Sequence, residues 1–506
     1  MLTINNPATG ERVGAAPVLD AAAVHGLVAR ARAAQPEWAA RPLAERARLL
    51  MRLRARLVER ADEVADTSCA ETGKLPVEAL LVDVLATAGV AAWCAQRADA
   101  VLGRRRIPTG WLVTKRAYEL REPYGVVGVI APWNWPVLNA MRAVLPALVA
   151  GNTVVLKPSE AAPLSALLMR ELADAAGFPA DVFLVATGDG TTGAALVGAG
   201  LDRLSFTGGV ETGRSIARAA AERLLPVSLE LGGKDAMIVL PGADLERAAS
   251  AAVAGSFYNA GQICTSLERI YVEHSVYDAF LEHVLEQTRA LRVGDGPGAD
   301  VGSMTVTAQL EKVDAQVRDA VARGARVLAG GRRVPGPGRF YEPTVLVDVT
   351  DDMTVMREET FGPVLPIVKV RDAEDAIRRT NASRFGLGAS IWGPRDVAES
   401  LVRRVRAGML SVNDAMLGAL VPGLPFGGVG ESGSGRVHGD DGLREMSWSR
   451  AVLVDRAGLH EVAYYPLSRL GREGALGAVR LLAGRGALRW HGLRALLARV
   501  PRFRRR

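Results

Sequence analysis

One cysteine of the chain lies in a turn-forming sequence that suits a nucleophile. Cys264 is part of Asn-Ala-Gly-Gln-Ile-Cys-Thr at 259–265, and Glu230 opens a Glu-Leu-Gly-Gly-Lys sequence upstream of it. The thiolate, rather than the thiol, is the nucleophilic form of cysteine, so a reactive cysteine benefits from a nearby base. A carboxylate on a separate Gly-Gly turn can be that base. The two motifs therefore predict covalent catalysis by Cys264 with Glu230 as a general base.

A third motif, Ala-Pro-Trp-Asn-Trp-Pro at 131–136, lies further upstream, after an apolar run. The three motifs in this order closely resemble the aldehyde dehydrogenase superfamily, and the resemblance extends from about Asn6 to Asp455. In that family a cysteine attacks an aldehyde and a glutamate activates the water for hydrolysis. The resemblance implies NAD(P)-dependent oxidation of an aldehyde to a carboxylic acid through a thiohemiacetal and a thioester on Cys264.

The resemblance also implies a role for each catalytic residue. The oxyanion of the tetrahedral adduct needs preorganised donors, which would be the side-chain amide of Asn134 and the backbone N–H of Cys264. Glu230 would deprotonate the water that hydrolyses the thioester. Relatives that pass the acyl group to coenzyme A commonly lack this glutamate, so its presence favours hydrolysis. The alternatives are an inert buried cysteine, a glutamate that only caps a helix, and a non-catalytic protein on the same fold.

The sequence Leu-Lys-Pro-Ser-Glu at 156–160 follows a predicted strand. The resemblance places Lys157 and Glu160 at the adenosine ribose hydroxyls of the cofactor. The carboxylate of Glu160 would repel a 2′-phosphate, which favours NAD over NADP. Ser159 could partly accommodate a phosphate, so NADP remains an alternative.

A glycine turn at 206–213 joins a predicted strand to a predicted helix, whose N-terminus can meet the cofactor pyrophosphate. Gly208 and Gly213 match the glycine pair of the family, whereas Gly209 stands where the usual pattern has a serine hydroxyl. Glu359 would hold the hydroxyls of the nicotinamide ribose, and Phe361 would pack beside the nicotinamide. The resemblance assigns four further residues to the cofactor, namely Ala131, Pro132, Trp133 and Leu231.

One cation indicates the class of aldehyde. Succinic semialdehyde carries a carboxylate, which needs a cationic anchor. Arg142 lies eight residues after Asn134, as in dehydrogenases for that substrate, whereas Tyr258 occupies the position of their frequent second arginine. The alternative for Arg142 is a structural role, with its stem packed on the helix. Uncharged aliphatic and aromatic aldehydes therefore stay open as substrates.

Apolar runs that alternate with helical stretches after Val126 are typical of a parallel sheet covered on both faces. The predicted fold is α/β, with a Rossmann-like cofactor-binding domain, an αβ catalytic domain and a small bridging sheet. In the family the bridging sheet serves oligomerisation, which implies a homodimer or a homotetramer. The predicted boundaries are 1–103 and 123–231 for the cofactor-binding domain, 232–432 for the catalytic domain, 104–122 and 447–457 for the bridging sheet, and 458–506 for a basic C-terminal extension.

The positive charge is concentrated at the C-terminus. The chain carries a net charge of +7, but 466–506 contains eleven Arg and one Glu, a balance of +10 that leaves −3 for the rest. This distribution argues against a nucleic-acid partner. The tail is interpreted as a solvated or locally packed extension, with contact to an anionic membrane surface as the alternative. Its glycines at 484, 486 and 492 are expected to weaken any helix.

The cysteines and the N-terminus indicate the compartment. Cys69, Cys94 and Cys264 are scattered and odd in number, which argues against a disulfide framework. The N-terminal sequence lacks the basic and apolar regions of a signal peptide, and no uninterrupted apolar run reaches the length of a membrane span. We therefore expect a cytoplasmic protein, and no motif predicts a bound metal.

Overall fold

The computed structural model describes residues 1–458 and 471–498. The chain divides into two compact units, one of Met1–Gly103 with Arg121–Trp448 and one of Arg104–Leu120 with Ser449–Arg506. The strands in chain order are β1 (Leu2–Asn5), β2 (Arg12–Ala16), β3 (Arg105–Ile107), β4 (Lys115–Pro123), β5 (Val126–Ile130), β6 (Thr153–Lys157), β7 (Phe183–Val185), β8 (Arg203–Thr207), β9 (Val227–Glu230), β10 (Asp235–Val239), β11 (Leu267–Glu273), β12 (Arg326–Ala329), β13 (Thr344–Val347), β14 (Val364–Val370), β15 (Gly388–Trp392), β16 (Met409–Val412), β17 (Gly433–Ser434) and β18 (Ser447–Asp455).

Helices cover both sheets of the larger unit, as expected for an α/β fold. The helices in chain order are α1 (Ala21–Ala40), α2 (Leu43–Glu59), α3 (Ala61–Thr72), α4 (Pro76–Glu78), α5 (Thr87–Leu102), α6 (Pro136–Ala150), α7 (Pro163–Ala175), α8 (Gly190–Gly198), α9 (Val210–Ala221), α10 (Leu245–Phe257), α11 (Tyr277–Ala290), α12 (Thr307–Ala322), α13 (Thr354–Arg357), α14 (Ala373–Asn381), α15 (Arg395–Leu401), α16 (Gly439–Glu445), α17 (Gly471–Ala483) and α18 (Ala487–Leu497).

The first sheet of the larger unit has six strands in the order β17-β9-β8-β5-β6-β7. Strand β5 reads Val-Val-Gly-Val-Ile and is buried along its whole length, as expected for a central strand with helices on both faces. Because β5, β6, β8 and β9 run parallel, their carboxyl ends lie at one edge of the sheet. That edge is where ligands bind in doubly wound sheets. The residues at these four ends are Ile130, Lys157, Thr207 and Glu230.

The second sheet has seven strands in the order β12-β13-β14-β11-β10-β15-β16 and is parallel except for β12. Its strands are rich in Val, Ile and Leu and form a separate buried core with helices α10, α11 and α12. The segment Pro76–Leu102, which includes α4 and α5, is apolar and long enough to cross a membrane. Most of its apolar window is buried within the protein, as in a core helix.

The smaller unit contains a three-stranded sheet in the order β18-β4-β3 and the helices α17 and α18. The two helices pack closely where Gly477 meets Gly492, because a Cβ at Gly492 would lie 2.5 Å from the carbonyl oxygen of Gly477. The expectation that Gly492 weakens a helix is therefore incomplete, since the glycine permits the contact between helices. Gly484 and Gly486 lie between α17 and α18. The basic end of the tail, Arg499 to Arg506, lies outside the described residues.

Candidate active site

The loop that carries Cys264 follows α10 and has an unusual backbone. Asn259, Ala260 and Gly261 have φ angles of 52°, 53° and 72°, in the left-handed region that side chains disfavour. A Cβ at Gly261 would lie 2.2 Å from the carbonyl oxygen of Gly362, so only glycine fits there. The buried carboxylate of Glu78 accepts a hydrogen bond of 2.6 Å from the backbone N–H of Asn259. Strained backbone held by neighbouring structure is common at functional sites.

Cys264 lines a cavity of about 240 Å³ together with Asn134, Asn139, Glu230 and Glu359. The structure thus brings the three proposed catalytic residues to one space. Burial raises the pKa of the Cys264 thiol to about 12, and the positive charge of Arg142 acts in the opposite direction. The thiol is therefore protonated in this structure at neutral pH and must lose its proton when the sulfur attacks.

The side-chain amide of Asn134 is held by partners on both of its polar atoms. Its Nδ2 donates to the carbonyl oxygen of Gln262 at 3.0 Å, and its Oδ1 accepts from Nδ2 of Asn139 at 2.9 Å. Its backbone carbonyl accepts from Nζ of Lys74 at 2.8 Å and from Nδ2 of Asn259 at 3.1 Å. The residue is thus fixed in both main chain and side chain.

Sequence reasoning missed the buried ion pair of Lys74 and Asp83. Nζ of Lys74 lies 2.7 Å from Oδ2 of Asp83, and both side chains are fully buried. Oδ1 of Asp83 accepts from the backbone N–H groups of Val137 and Leu138 in the first turn of α6. The pair therefore holds the start of α6 and the carbonyl of Asn134 in one network. No local motif could have revealed this network, because Lys74 and Asp83 bind backbone groups at 134–138, more than fifty residues away in sequence.

Glu230 is the last residue of β9 and is 2% exposed. Both of its carboxylate oxygens are buried and have no hydrogen-bond partner in the described part of the chain. Burial raises the pKa of Glu230 to about 8, while the charges of Arg142 and Arg436 lower it. A desolvated carboxylate whose pKa lies near neutrality suits a general base.

The proposed cofactor residues line a second cavity of about 520 Å³ along the carboxyl edge of the six-stranded sheet. Nζ of Lys157 lies 3.4 Å from Oε2 of Glu160, whose side chain is 55% exposed. Gly209 is the N-cap of α9, and no described atom lies within 4 Å of the position of its missing Cβ. The open helix N-terminus provides a place for a pyrophosphate. The residues of the sequence prediction that line this cavity are Ala131, Pro132, Trp133, Lys157, Ser159, Glu160, Gly208 and Gly209.

Two of the predicted cofactor residues instead pack against each other. A Cβ at Gly213 would lie 2.5 Å from Cδ2 of Leu231, so the glycine lets α9 approach the end of β9. Leu231 also lines the cavity of Cys264. The close packing fits the general requirement for glycine where a helix meets a strand in dinucleotide-binding folds.

Glu359 and Phe361 also line the catalytic cavity. Oε1 of Glu359 accepts from the backbone N–H of Gly233 at 2.9 Å, and burial raises its pKa to about 7. The ring of Phe361 meets that of Trp133 edge-on at 5.5 Å between centroids. This loop is held by the buried Glu268, which pairs with Lys234 at 2.5 Å and accepts the backbone N–H of Phe361 at 2.8 Å. Sequence reasoning did not identify Lys234 and Glu268.

Arg142 lies in α6, is 3% exposed and forms no ion pair in the regions that the structure describes. Its guanidinium carbon lies 4.4 Å from the centroid of the Phe426 ring, and its Nε and Nη2 have no hydrogen-bond partner there. Its charge acts on both Glu230 and Cys264. Burial lowers the pKa of the neighbouring His438 to about 3, and the charge of Arg142 contributes to this shift. This histidine is therefore neutral. Sequence reasoning missed His438.

Tyr258 carries no charge to assist Arg142. Its ring lies 6.0 Å from that of Trp135, and burial raises the pKa of its hydroxyl above the ordinary value. A neutral phenol can donate one hydrogen bond but cannot replace a second arginine.

The parallel strand ends, the open helix N-terminus and the cavity with a cysteine and a carboxylate define an NAD(P)-dependent oxidoreductase. A model of the Aldehyde dehydrogenase family matches residues 1–452. The chain belongs to the aldehyde dehydrogenase family, and it oxidises aldehydes with NAD or NADP. The predicted family, α/β fold and enzyme class are confirmed.

Known relatives cover most of the chain. A protein of Methylomonas sp named 4,4'-diapolycopene aldehyde oxidase is 38% identical over 97% of this chain and 92% of its own length. A protein of Mycolicibacterium smegmatis named "Putative succinate-semialdehyde dehydrogenase (NADP+)" is 41% identical over 88% of this chain and 87% of its own. The solved aldehyde dehydrogenase of Mycobacterium tuberculosis complexed with NAD+ has a TM-score of 0.87 and 36% identity, covering 91% of this chain and 95% of that one.

Proposed function

We propose that the enzyme oxidises an aldehyde that bears a carboxylate, with succinic semialdehyde to succinate as the leading reaction. The observation that carries this proposal is the buried guanidinium of Arg142, which has no ion-pair partner in the described residues and whose charge acts on Cys264 and Glu230. An uncompensated buried cation costs several kcal/mol, and a carboxylate partner would offset that cost. The name of the relative from Mycolicibacterium smegmatis points to the same substrate.

The proposed reaction begins when the thiol of Cys264 gives its proton to water and Sγ attacks the aldehyde carbon. The oxyanion that forms accepts hydrogen bonds from Nδ2 of Asn134 and from the backbone N–H of Cys264. NAD or NADP, which Lys157, Glu160 and the N-terminus of α9 would hold, would supply the hydride acceptor. Loss of the hydride from the adduct would leave a thioester on Cys264. Glu230 then takes a proton from water, the hydroxide attacks the thioester, and the cysteine sulfur leaves as the acid is released.

The rate of hydrolysis should depend on pH through Glu230. Only its carboxylate form accepts a proton, and its pKa is raised to about 8 by burial. We therefore expect steady-state kcat to rise about tenfold per pH unit below pH 8 and to level off above it. Turnover measured from pH 6 to pH 9.5 checks this, and a flat profile for an enzyme limited by hydrolysis contradicts the role of Glu230.

Removing the positive charge of Arg142 tests the substrate class. For Arg142→Leu we expect kcat/KM with succinic semialdehyde to fall roughly 10- to 100-fold relative to that with butanal, because a charge-assisted hydrogen bond is lost. Using the ratio of the two aldehydes cancels any change in the pKa of Glu230. Arg142→Lys, which keeps the charge, is the matched control and should lose less. An unchanged ratio in Arg142→Leu would make Arg142 a structural residue.

A second candidate is a long apolar aldehyde. A cavity of about 210 Å³ next to Thr265 is lined mainly by apolar residues, among them Met409, Met416 and Leu424, and also by Asp235. The relative from Methylomonas sp, whose name refers to a carotenoid aldehyde, supports this alternative. This alternative would be favoured if long-chain aldehydes have a higher kcat/KM than succinic semialdehyde and if Arg142→Leu leaves their kcat/KM unchanged.

We also propose that NAD is preferred over NADP. The carboxylate of Glu160, next to Lys157 at the adenosine end of the cleft, would repel a 2′-phosphate. Because this side chain is 55% exposed, screening limits the effect, and for Glu160→Ala we expect kcat/KM with NADP to rise only about tenfold. Initial rates with both cofactors measure this, with the exposed Glu171→Ala as the control. A parent enzyme that already prefers NADP contradicts the proposal.

A further inference from the structure

Asn139 is a second amide in the cavity that holds Cys264 and Glu230. It lies near the start of α6 and is 3% exposed. Its Nδ2 donates a hydrogen bond of 2.9 Å to Oδ1 of Asn134. The other contact of the Asn134 side chain is that of its Nδ2 with the carbonyl oxygen of Gln262, at 3.0 Å. An amide nitrogen carries two hydrogens, so one N–H of Asn134 remains after this contact.

The orientation of the Asn134 amide decides whether it can stabilise an oxyanion. Rotation by 180° about the last side-chain bond exchanges oxygen and nitrogen with almost no change of shape. In the rotated form, Oδ1 would face the carbonyl of Gln262, and Nδ2 would face the N–H donor of Asn139. The contacts of Lys74 and Asn259 reach only the backbone carbonyl of Asn134, and they cannot select between the two orientations.

We propose that Asn139 is a positioning residue, which holds the Asn134 amide in the orientation that directs its remaining N–H towards the oxyanion. The inference rests on the proposed role of Asn134. In the orientation that the structure shows, Asn139 supplies a donor to the oxygen, and the carbonyl of Gln262, which can only accept, binds the nitrogen. Without Asn139, Oδ1 would be left without its donor inside a buried site, and only the carbonyl of Gln262 would still favour the native orientation.

The decisive variant is Asn139→Asp. Its carboxylate has no hydrogen to donate and favours Nδ2 of Asn134 as its neighbour, so it opposes the orientation that the carbonyl of Gln262 favours. We expect the single-turnover rate of cofactor reduction to fall about 10²- to 10³-fold at pH 9, the loss typical for removal of one oxyanion donor. The rate should recover as the pH falls and the carboxyl is protonated, because a carboxylic acid can again donate to Oδ1. A merely structural role would not produce recovery in acid.

Three further measurements separate the possible failures. Asn139→Leu, which is similar in size but cannot donate, should reduce the rate about 10- to 100-fold without changing the affinity for NAD. Asn152→Asp places the same change at a buried asparagine outside the cavity and should show no recovery at low pH. Asn134→Ala tests the premise, since an unchanged rate there would refute the oxyanion role itself. The positioning role would be overturned if Asn134→Ala lowers the rate of cofactor reduction while Asn139→Leu leaves it unchanged. It would also be overturned if the rate of Asn139→Asp depends on pH in the same way as the rate of the parent enzyme.

Discussion

Replacing Cys264 by alanine should abolish aldehyde oxidation, with a fall in kcat of at least about 10⁴-fold. The variant keeps the cavity and the cofactor cleft but lacks the atom that forms the thiohemiacetal and the thioester. Without it the thioester cannot form, because no other cysteine is among the described residues that line the cavity. The measurement is absorbance-followed cofactor reduction, together with NAD binding to show that the cleft is intact.

The chain offers a matched control for this variant. Cys69 lies in α3, outside the catalytic cavity, and burial raises the pKa of its thiol to about 12, as it does for Cys264. Cys69→Ala should therefore keep the activity of the parent enzyme. Full activity in Cys264→Ala would refute covalent catalysis at this position, whereas equal loss in both variants would indicate a general effect of cysteine removal on the fold.

Several of the local motifs lie at the end of a strand, whereas the loop of Cys264 follows helix α10. Lys157 and Glu230 end β6 and β9, and the glycine turn at 208 follows β8. In a parallel sheet these ends meet at one edge, so residues distant in sequence converge without any further information. The alternation of apolar runs with helical stretches was sufficient to predict that sheet. The fold and the part of the candidate site at this sheet edge therefore depended on the same sequence pattern.

The residues that support the site could not be predicted in the same way. Lys74 with Asp83, and Lys234 with Glu268, are charged pairs in places that the sequence gives no reason to regard as buried. Charged residues are mostly exposed, so each pair becomes recognisable only when the fold brings its partners together. The protonated state of Cys264 was equally hidden, because it depends on how many surrounding groups exclude water.

The effect of tail glycines depends on whether a helix is isolated or packed. In an isolated helix, Gly477 and Gly492 would only be destabilising, because glycine loses more backbone entropy on folding than any other residue. In the pair of α17 and α18 their missing side chains let two backbones approach closely, and Ala495 adds a further small side chain at that contact. A propensity argument applied to one helix could not include a contact made by the second helix.

Glu230→Gln should separate the two halves of the reaction. Glutamine keeps the size of the side chain but cannot accept a proton from water, so the thioester should form and then persist. We expect a burst of about one reduced cofactor per active site, followed by a steady-state rate lowered about 10²- to 10⁴-fold. Stopped-flow absorbance measures the burst, and intact-protein mass spectrometry after quenching should show an acyl group, which Cys264→Ala should lack.

The size of the burst shows whether Glu230 takes a proton from the hydrolytic water or from the Cys264 thiol. If the burst persists, Glu230 acts after hydride transfer, on the hydrolytic water. If burst and steady state both disappear, Glu230 is needed earlier, when the Cys264 thiol loses its proton, and the hydrolytic assignment is wrong. Glu71→Gln is the matched control, because Glu71 is also a buried carboxylate whose pKa is raised, to about 7, but it binds the start of α7. That control should show neither a stalled burst nor an acyl adduct, since Glu71 has no access to the thioester.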